Sequence, residues 1–171
     1  MKSNLKGFFP LIVSLCVLAA FVLLFKFLSH RYLIQVSGSM PKGIYKIKAA
    51  DNVSLGQIVV FNIPKSISGL VQKRRWAPER LTYLLMKPVA AKAGDRVLIS
   101  EKGLFINDLY VGAVKRFDSA GRPLPAIYGE FVLKQNELFA VSSHVNSFDS
   151  RYFGPIQTSA VKGLVEPLII F

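Results

Sequence analysis

Leu84-Leu85-Met86-Lys87-Pro88-Val89-Ala90-Ala91-Lys92 reads as an apolar strand with a lysine set among residues that belong in a core. A free lysine has a pKa near 10.4 and is almost wholly protonated at neutral pH. Desolvation disfavours the ammonium, and a fall of about 3 pH units, worth roughly 4 kcal/mol, would leave enough neutral amine to act as a base. Most lysines are solvated surface charges, so Lys87 acquires this meaning only if a nucleophile lies elsewhere in the chain.

Outward from that strand the pattern stays β-rich. Residues 33–36, 43–47, 57–62, 96–99, 130–133, 137–142, 161–165 and 168–171 are short runs of branched and aromatic residues broken by turn formers. Residues 103–111 form a tight hairpin pattern with Asn107-Asp108 at the turn, where positive φ is tolerated. These runs predict a mainly β, antiparallel, barrel-like or folded-sheet domain with no amphipathic helix. Two segments interrupt it: 64–82, basic and containing Trp76 and Pro78, and 115–129, with Gly121, Pro123 and Pro125. Both read as excursions, either binding elements or solvated loops.

The chain has 171 residues, enough for one domain and an appendage. From Phe8 to Phe25 no residue is charged, and residues 8–28 at about 1.5 Å each span a hydrocarbon core of roughly 30 Å. One transmembrane helix is expected there, giving residues 1–31 as tail and anchor and 32–171 as the following domain. A cleaved secretion signal competes, with Lys2 and Lys6 as its charged start. The run is too long for one, and no small-x-small pattern follows it before Lys26. Lys2 and Lys6 against Lys26 and Arg31 leave the charge bias nearly balanced, with a short inside amino terminus and an outside domain slightly favoured.

Net charge is +12 and pI about 10.0. No nucleic-acid-binding module accompanies that charge, so no nucleic-acid partner is expected; anionic headgroups and anionic partners suit it better. The one cysteine, Cys16, lies in the apolar run, and the two histidines, His30 and His144, are far apart in sequence. Neither a disulfide, a thiol nucleophile nor a metal site is expected, and no cofactor is called for.

The candidate nucleophile lies in Ser37-Gly38-Ser39-Met40-Pro41, just past the apolar run. Serine-glycine pairs are common in turns, and a serine hydroxyl is inert without a base. Gly38 permits a sharp turn and lets a substrate carbonyl approach the backbone. The Ser39 amide and the Ser37 hydroxyl are then two candidate oxyanion donors. A third stretch, Asn146-Ser147-Phe148-Asp149-Ser150-Arg151-Tyr152-Phe153-Gly154, offers an Asp149–Arg151 pair to brace a turn and a Ser147 oxygen to orient a neutral amine. The plainer reading of it is a turn with a surface ion pair. His144 leaves a serine-histidine-aspartate triad as an alternative, though the lysine route fits the anchor better.

In this order behind one apolar helix, the three stretches resemble the boxes of type I signal peptidases, and the similarity is closest to the conjugative-transfer, TraF-type branch that matures pilin subunits. The resemblance runs from the anchor to Ile156. It implies Ser39 as nucleophile, Lys87 as general base, and Ser37, Ser39 and Met40 as the oxyanion- and substrate-binding set. It implies further that Ser147 orients Lys87 while Asp149 and Arg151 support the site. A single-pass protein of the bacterial inner membrane is implied, with a β-rich catalytic domain in the periplasm. Its partners would be the bilayer, a membrane-associated precursor such as a pilin subunit, and components of a conjugation or secretion apparatus. Pro88 after the lysine departs from general signal peptidases, where arginine is usual. The rival readings are a general signal peptidase and a catalytically silent, membrane-tethered scaffold.

Overall fold

The computed structural model describes residues 5–76 and 84–171. The expected contribution of Lys2 to the charge bias, and the part of the 64–82 excursion from 77 onward, with Pro78, lie outside the described residues.

Helix α1, Leu5–Arg31, contains the apolar run; within its 24 residues Phe8–Arg31 an 18-residue stretch averages a hydropathy of 2.8, and none of that stretch is buried. At about 1.5 Å per residue the 24 residues extend roughly 36 Å, long and apolar enough to cross a membrane. His30 and Arg31 occupy its last turn, where positive charge complements the free carbonyls. Strand β1, Tyr32–Gln35, begins at the next residue.

The rest is two antiparallel sheets. The first holds β1, β2 (Gly43–Lys48), β3 (Ile58–Asn62), β4 (Leu84–Lys92), β9 (Glu137–Ala140), β10 (Ile156–Gln157) and β11 (Val161–Ile170), in the order β1-β2-β11-β3-β4-β9-β10. The second holds β5 (Arg96–Ser100), β6 (Gly103–Ile106), β7 (Leu109–Gly112) and β8 (Gly129–Val132), in the order β7-β6-β5-β8. The mainly β expectation holds in its folded-sheet form. A barrel does not form, because β1, β10, β7 and β8 each pair on one side only and leave both sheets open. The Asn107-Asp108 hairpin forms as read, with φ of 48° and 68° at the two turn residues.

Three core clusters hold these layers. Val59, Phe61, Val89, Leu138, Phe153 and Ile156 are the centre of one, and Val97, Ile99, Leu104 and Phe139 of another. The third joins Tyr45, Val60, Met86 and Val165 under the β1–β2 connection. In β4, Lys87 is directly opposite Val59 and, by the alternation of a strand, shares a face with Leu85 and Val89.

Several elements differ from the sequence reading. A helix, α2, spans Lys65–Lys73 where none was expected, burying Ile67 and Val71 one turn apart. Gly69 in its middle masks the helical spacing in the sequence, because glycine is a poor helix former. Residues 161–165 and 168–171, read as separate strands around Pro167, are one strand, β11, carried past the proline by a bulge between Pro167 and Ile169. A single helical turn, α3 (Ser150–Phe153), follows Asp149, whose side chain accepts from the Arg151 N–H.

Candidate active site

Lys87 is 3% exposed. Burial lowers its pKa from 10.5 to about 8; the nearby Asp149 carboxylate works against that fall and the Arg151 guanidinium adds to it. Its Nζ donates to Ser39 Oγ at 2.7 Å. When the amine is neutral the contact can run the other way, with the serine hydroxyl donating its proton to nitrogen. Residues 48 positions apart thus meet as a hydroxyl and a base whose proton affinity is tuned toward neutral pH.

The loop carrying Ser39 is tied down on several sides. Ser142 Oγ donates to the Ser39 carbonyl at 2.5 Å, and Tyr45 donates its phenol to the Pro41 carbonyl at 2.8 Å. Met40, expected among the substrate-binding residues, packs against the cluster of Tyr45, Val60, Met86 and Val165 and does not line the cleft. The Ser37 hydroxyl lies 3.3 Å from Ser39 Oγ and receives Gln35 Nε2 at 2.7 Å. That nitrogen also donates to the Ser37 carbonyl at 3.0 Å.

Asp149 and Arg151 are not a surface pair: their side chains are 0% and 2% exposed. Arg151 grips the carboxylate through Nε at 2.8 Å and Nη2 at 2.7 Å, and donates through Nη1 to the Ala113 carbonyl at 2.9 Å. The Ser142 N–H donates to Asp149 at 3.2 Å and Arg151 donates to the Ser142 carbonyl at 3.3 Å. Because Ser142 in turn holds the Ser39 carbonyl, the buried pair reaches the loop serine through one residue.

Ser147 is buried, lines the cleft, and its Oγ has no hydrogen-bond partner among the described residues, so the contact expected with Lys87 is not made in this arrangement. His144 also lines the cleft, with Nδ1 accepting from the Asn146 N–H at 3.2 Å. Both Asp149 oxygens are engaged by Arg151, which leaves that carboxylate no free edge for orienting a histidine.

The cleft encloses about 340 Å³ beside Ser37, Gly38 and Ser39. Both excursions wall it: Trp76 from the first, and Phe117, Asp118 and Leu124 from the second. Arg74 joins them, donating to the Pro123 carbonyl at 2.7 Å and lying 3.6 Å from Asp118. Phe148 connects wall and floor, 4.7 Å from the Trp76 ring and stacked on Tyr152 at 5.5 Å.

Ser142, Tyr45 and Gln35 escaped the sequence reading. Ser142 and Tyr45 look like ordinary strand-end and core residues there, and only tertiary contact shows that they hold the loop. Gln35, a polar residue in a strand of branched ones, carries the fainter signal.

A cleft bordered by a loop serine, with a buried amine in hydrogen-bond reach of its hydroxyl, has the ingredients that a serine-type peptidase needs. The chain belongs to the family described as signal peptidase, peptidase S26, whose sequence model matches residues 5–169. A plasmid transfer protein TraF of Escherichia coli is 30% identical over 145 residues, 80% of this chain and 81% of its own. A probable conjugal transfer protein TraF of Sinorhizobium fredii is 30% identical over 150 residues, 82% of this chain and 78% of its own. A looser likeness in shape is a signal peptidase I from Enterococcus faecalis, with 19% identity, a TM-score of 0.41, and cover of 71% of this chain and 100% of that one.

Proposed function

We propose that this chain is a membrane-anchored serine endopeptidase that removes the leader or terminal segment of an exported precursor, a pilin subunit in a conjugative system, through Ser39 and Lys87. The observation that carries the reading is the 2.7 Å contact between a buried lysine amine and a loop serine hydroxyl at the edge of a cleft. The conjugal-transfer names of the relatives support the kind of precursor. Residues 1–31 would serve as anchor in the bacterial inner membrane and 32–171 as the peptidase domain on its periplasmic side, beside the conjugation apparatus.

In this mechanism Ser39 Oγ attacks the scissile carbonyl while its proton passes to neutral Lys87 Nζ. The resulting oxyanion is held by the Ser39 amide and the Ser37 hydroxyl. The lysine then returns the proton to the leaving amine as the carbon–nitrogen bond breaks, giving an acyl-enzyme. Water, deprotonated by Lys87, hydrolyses that ester and restores the serine. Ser142, Asp149 and Arg151 keep the serine loop in register, and the buried Ser147 hydroxyl, unpaired among the described residues, would be the partner that orients the neutral amine. An anchor that confines enzyme and precursor to one surface raises their effective concentration.

Co-expression with candidate pilin precursors, read by intact mass, tests the assignment. Wild type should shorten one of them at a single bond, and Ser39→Ala, folded and inserted, should leave it whole. Processing by Ser39→Ala would remove the reading. The pH dependence gives a second check. The base works only when unprotonated, so kcat/KM should climb with pH and level off above about 8. A profile flat from about pH 6 to 9 would exclude Lys87 as the base.

A further inference from the structure

Resting on the serine–lysine reading above, we propose that Gln35 is a positioning residue that fixes the direction of the Ser37 hydroxyl, and through it the polarity of the whole catalytic chain.

The orientation of the Gln35 amide is settled by its surroundings. One of its terminal atoms lies 3.0 Å from the Ser37 carbonyl oxygen and 2.7 Å from Ser37 Oγ. A carbonyl oxygen only accepts, so the atom facing it is the NH₂ group, which only donates. Ser37 Oγ therefore accepts from Gln35, and its single proton has to point elsewhere. Among the described residues the acceptor within reach of it is Ser39 Oγ, at 3.3 Å. With Lys87 neutral, a directed series results: Gln35 amide to Ser37 hydroxyl, Ser37 hydroxyl to Ser39 hydroxyl, Ser39 hydroxyl to Lys87 nitrogen.

Two consequences follow for the reaction. Ser39 receives from Ser37, so its own proton is aimed at Lys87, the atom that must take it. Ser37, held as an acceptor on its far side, keeps its one proton on the Ser39 side, from where it turns to the developing oxyanion as Ser39 Oγ bonds to the substrate carbon. Without Gln35 the Ser37 hydroxyl is a free rotor that can donate to water or to a nearby carbonyl, and its alignment has to be recovered during each turnover. Gln35 is the last residue of β1 and pairs with Gly43 of β2, so a strand rather than a loop carries the amide.

The test uses the full-length protein in detergent and, as probe, the pilin precursor that wild type shortens in the co-expression assay, followed by intact mass. Gln35→Leu keeps the bulk and loses the donor; it should lower kcat about 10-fold at unchanged KM, short of the roughly 10²–10³-fold cost of deleting an oxyanion donor outright. Gln35→Glu presents an acceptor that takes the Ser37 proton away from the cleft, and should lower kcat about 100-fold. In a Ser37→Ala background, Gln35→Leu should cost less than about 2-fold, because the residue acts through Ser37. The rise of kcat/KM toward pH about 8 should stay in place in Gln35→Leu, since Lys87 burial is untouched and no charge is added. Wild-type kcat in Gln35→Glu, or the same loss in the Ser37→Ala background as in wild type, would overturn the proposal. If Gln35→Leu is too unstable to assay, Gln35→Glu and its pairing with Ser37→Ala decide the matter alone. Processing by Ser39→Ala would defeat the underlying reading; an inactive Ser39→Ala beside a normal Gln35→Glu would defeat only this inference.

Discussion

Lys87→Met is expected to lose precursor processing by at least about 10³-fold and yet to be the more stable protein at neutral pH. The loss follows from the chemistry: methionine fills the space of the lysine stem but has no lone pair of comparable basicity, so the Ser39 proton has nowhere to go. The gain in stability follows from burial. The unfolded lysine titrates near 10.4, whereas the folded one is held down to about 8, first by desolvation. Below about pH 8 both states carry the proton, and the folded state bears the full cost of a buried ammonium, of the order of 3 kcal/mol. As pH rises from about 8 to 10.4 the folded protein has already released its proton while the unfolded chain still binds one, so wild type gains stability over that window. Lys87→Met should therefore exceed wild type by about 1–3 kcal/mol at pH 7 and lose that advantage by about pH 10. Thermal unfolding followed by circular dichroism across that range measures it. Lys87→Arg separates base from charge, because a guanidinium stays protonated at these pH values. Processing by the arginine variant, or a methionine variant less stable than wild type at pH 7, would show that Lys87 is not a buried base.

Arg151→Met should be among the most destabilising substitutions in the chain, at about 3–5 kcal/mol. It strands the Asp149 carboxylate, 0% exposed, with its two strongest donors gone. A surface ion pair would cost about 1 kcal/mol or less, so the size of the loss distinguishes the two situations. Replacing both partners, as Asp149→Leu with Arg151→Met, should recover most of the stability, because an apolar pair leaves no buried charge. Processing should not recover with it. The Ser142 N–H loses its acceptor in the double variant, and Ser142 is what holds the Ser39 carbonyl. Urea titration of the single and double variants, beside the intact-mass assay, reads both quantities. A cost below about 1 kcal/mol for Arg151→Met would mean that the pair is solvated.

The parts that were legible in the sequence are those written in local pattern. Apolar length marks α1, alternation and branched residues mark the strands, and Asn107-Asp108 marks the hairpin, since each depends on nearest neighbours along the chain. Lys87 was legible because its flanks are apolar enough to require burial. What stayed hidden depends on residues far apart. Helix α2 is disguised by Gly69, and β10 has only two residues, too few to carry a period. The Asp149–Arg151 pair could equally have been a surface turn, because sequence gives separation along the chain and not exposure. Ser142 and Gln35 are single polar residues whose meaning comes from what they touch.

The junction between α1 and β1 sets a limit on what can be cut. Strand follows helix without a linker residue, and Ser39 stands eight residues past Arg31. Even fully extended, at about 3.3 Å per residue, those eight reach no more than roughly 26 Å. On the proposed anchoring, α1 would act as a tether of fixed length and the enzyme as a gauge: a bond held farther than that from the end of α1 at Arg31 would be out of range, whatever its sequence. Selection among precursors would then begin with the height of the junction above the lipid, before any side chain is inspected.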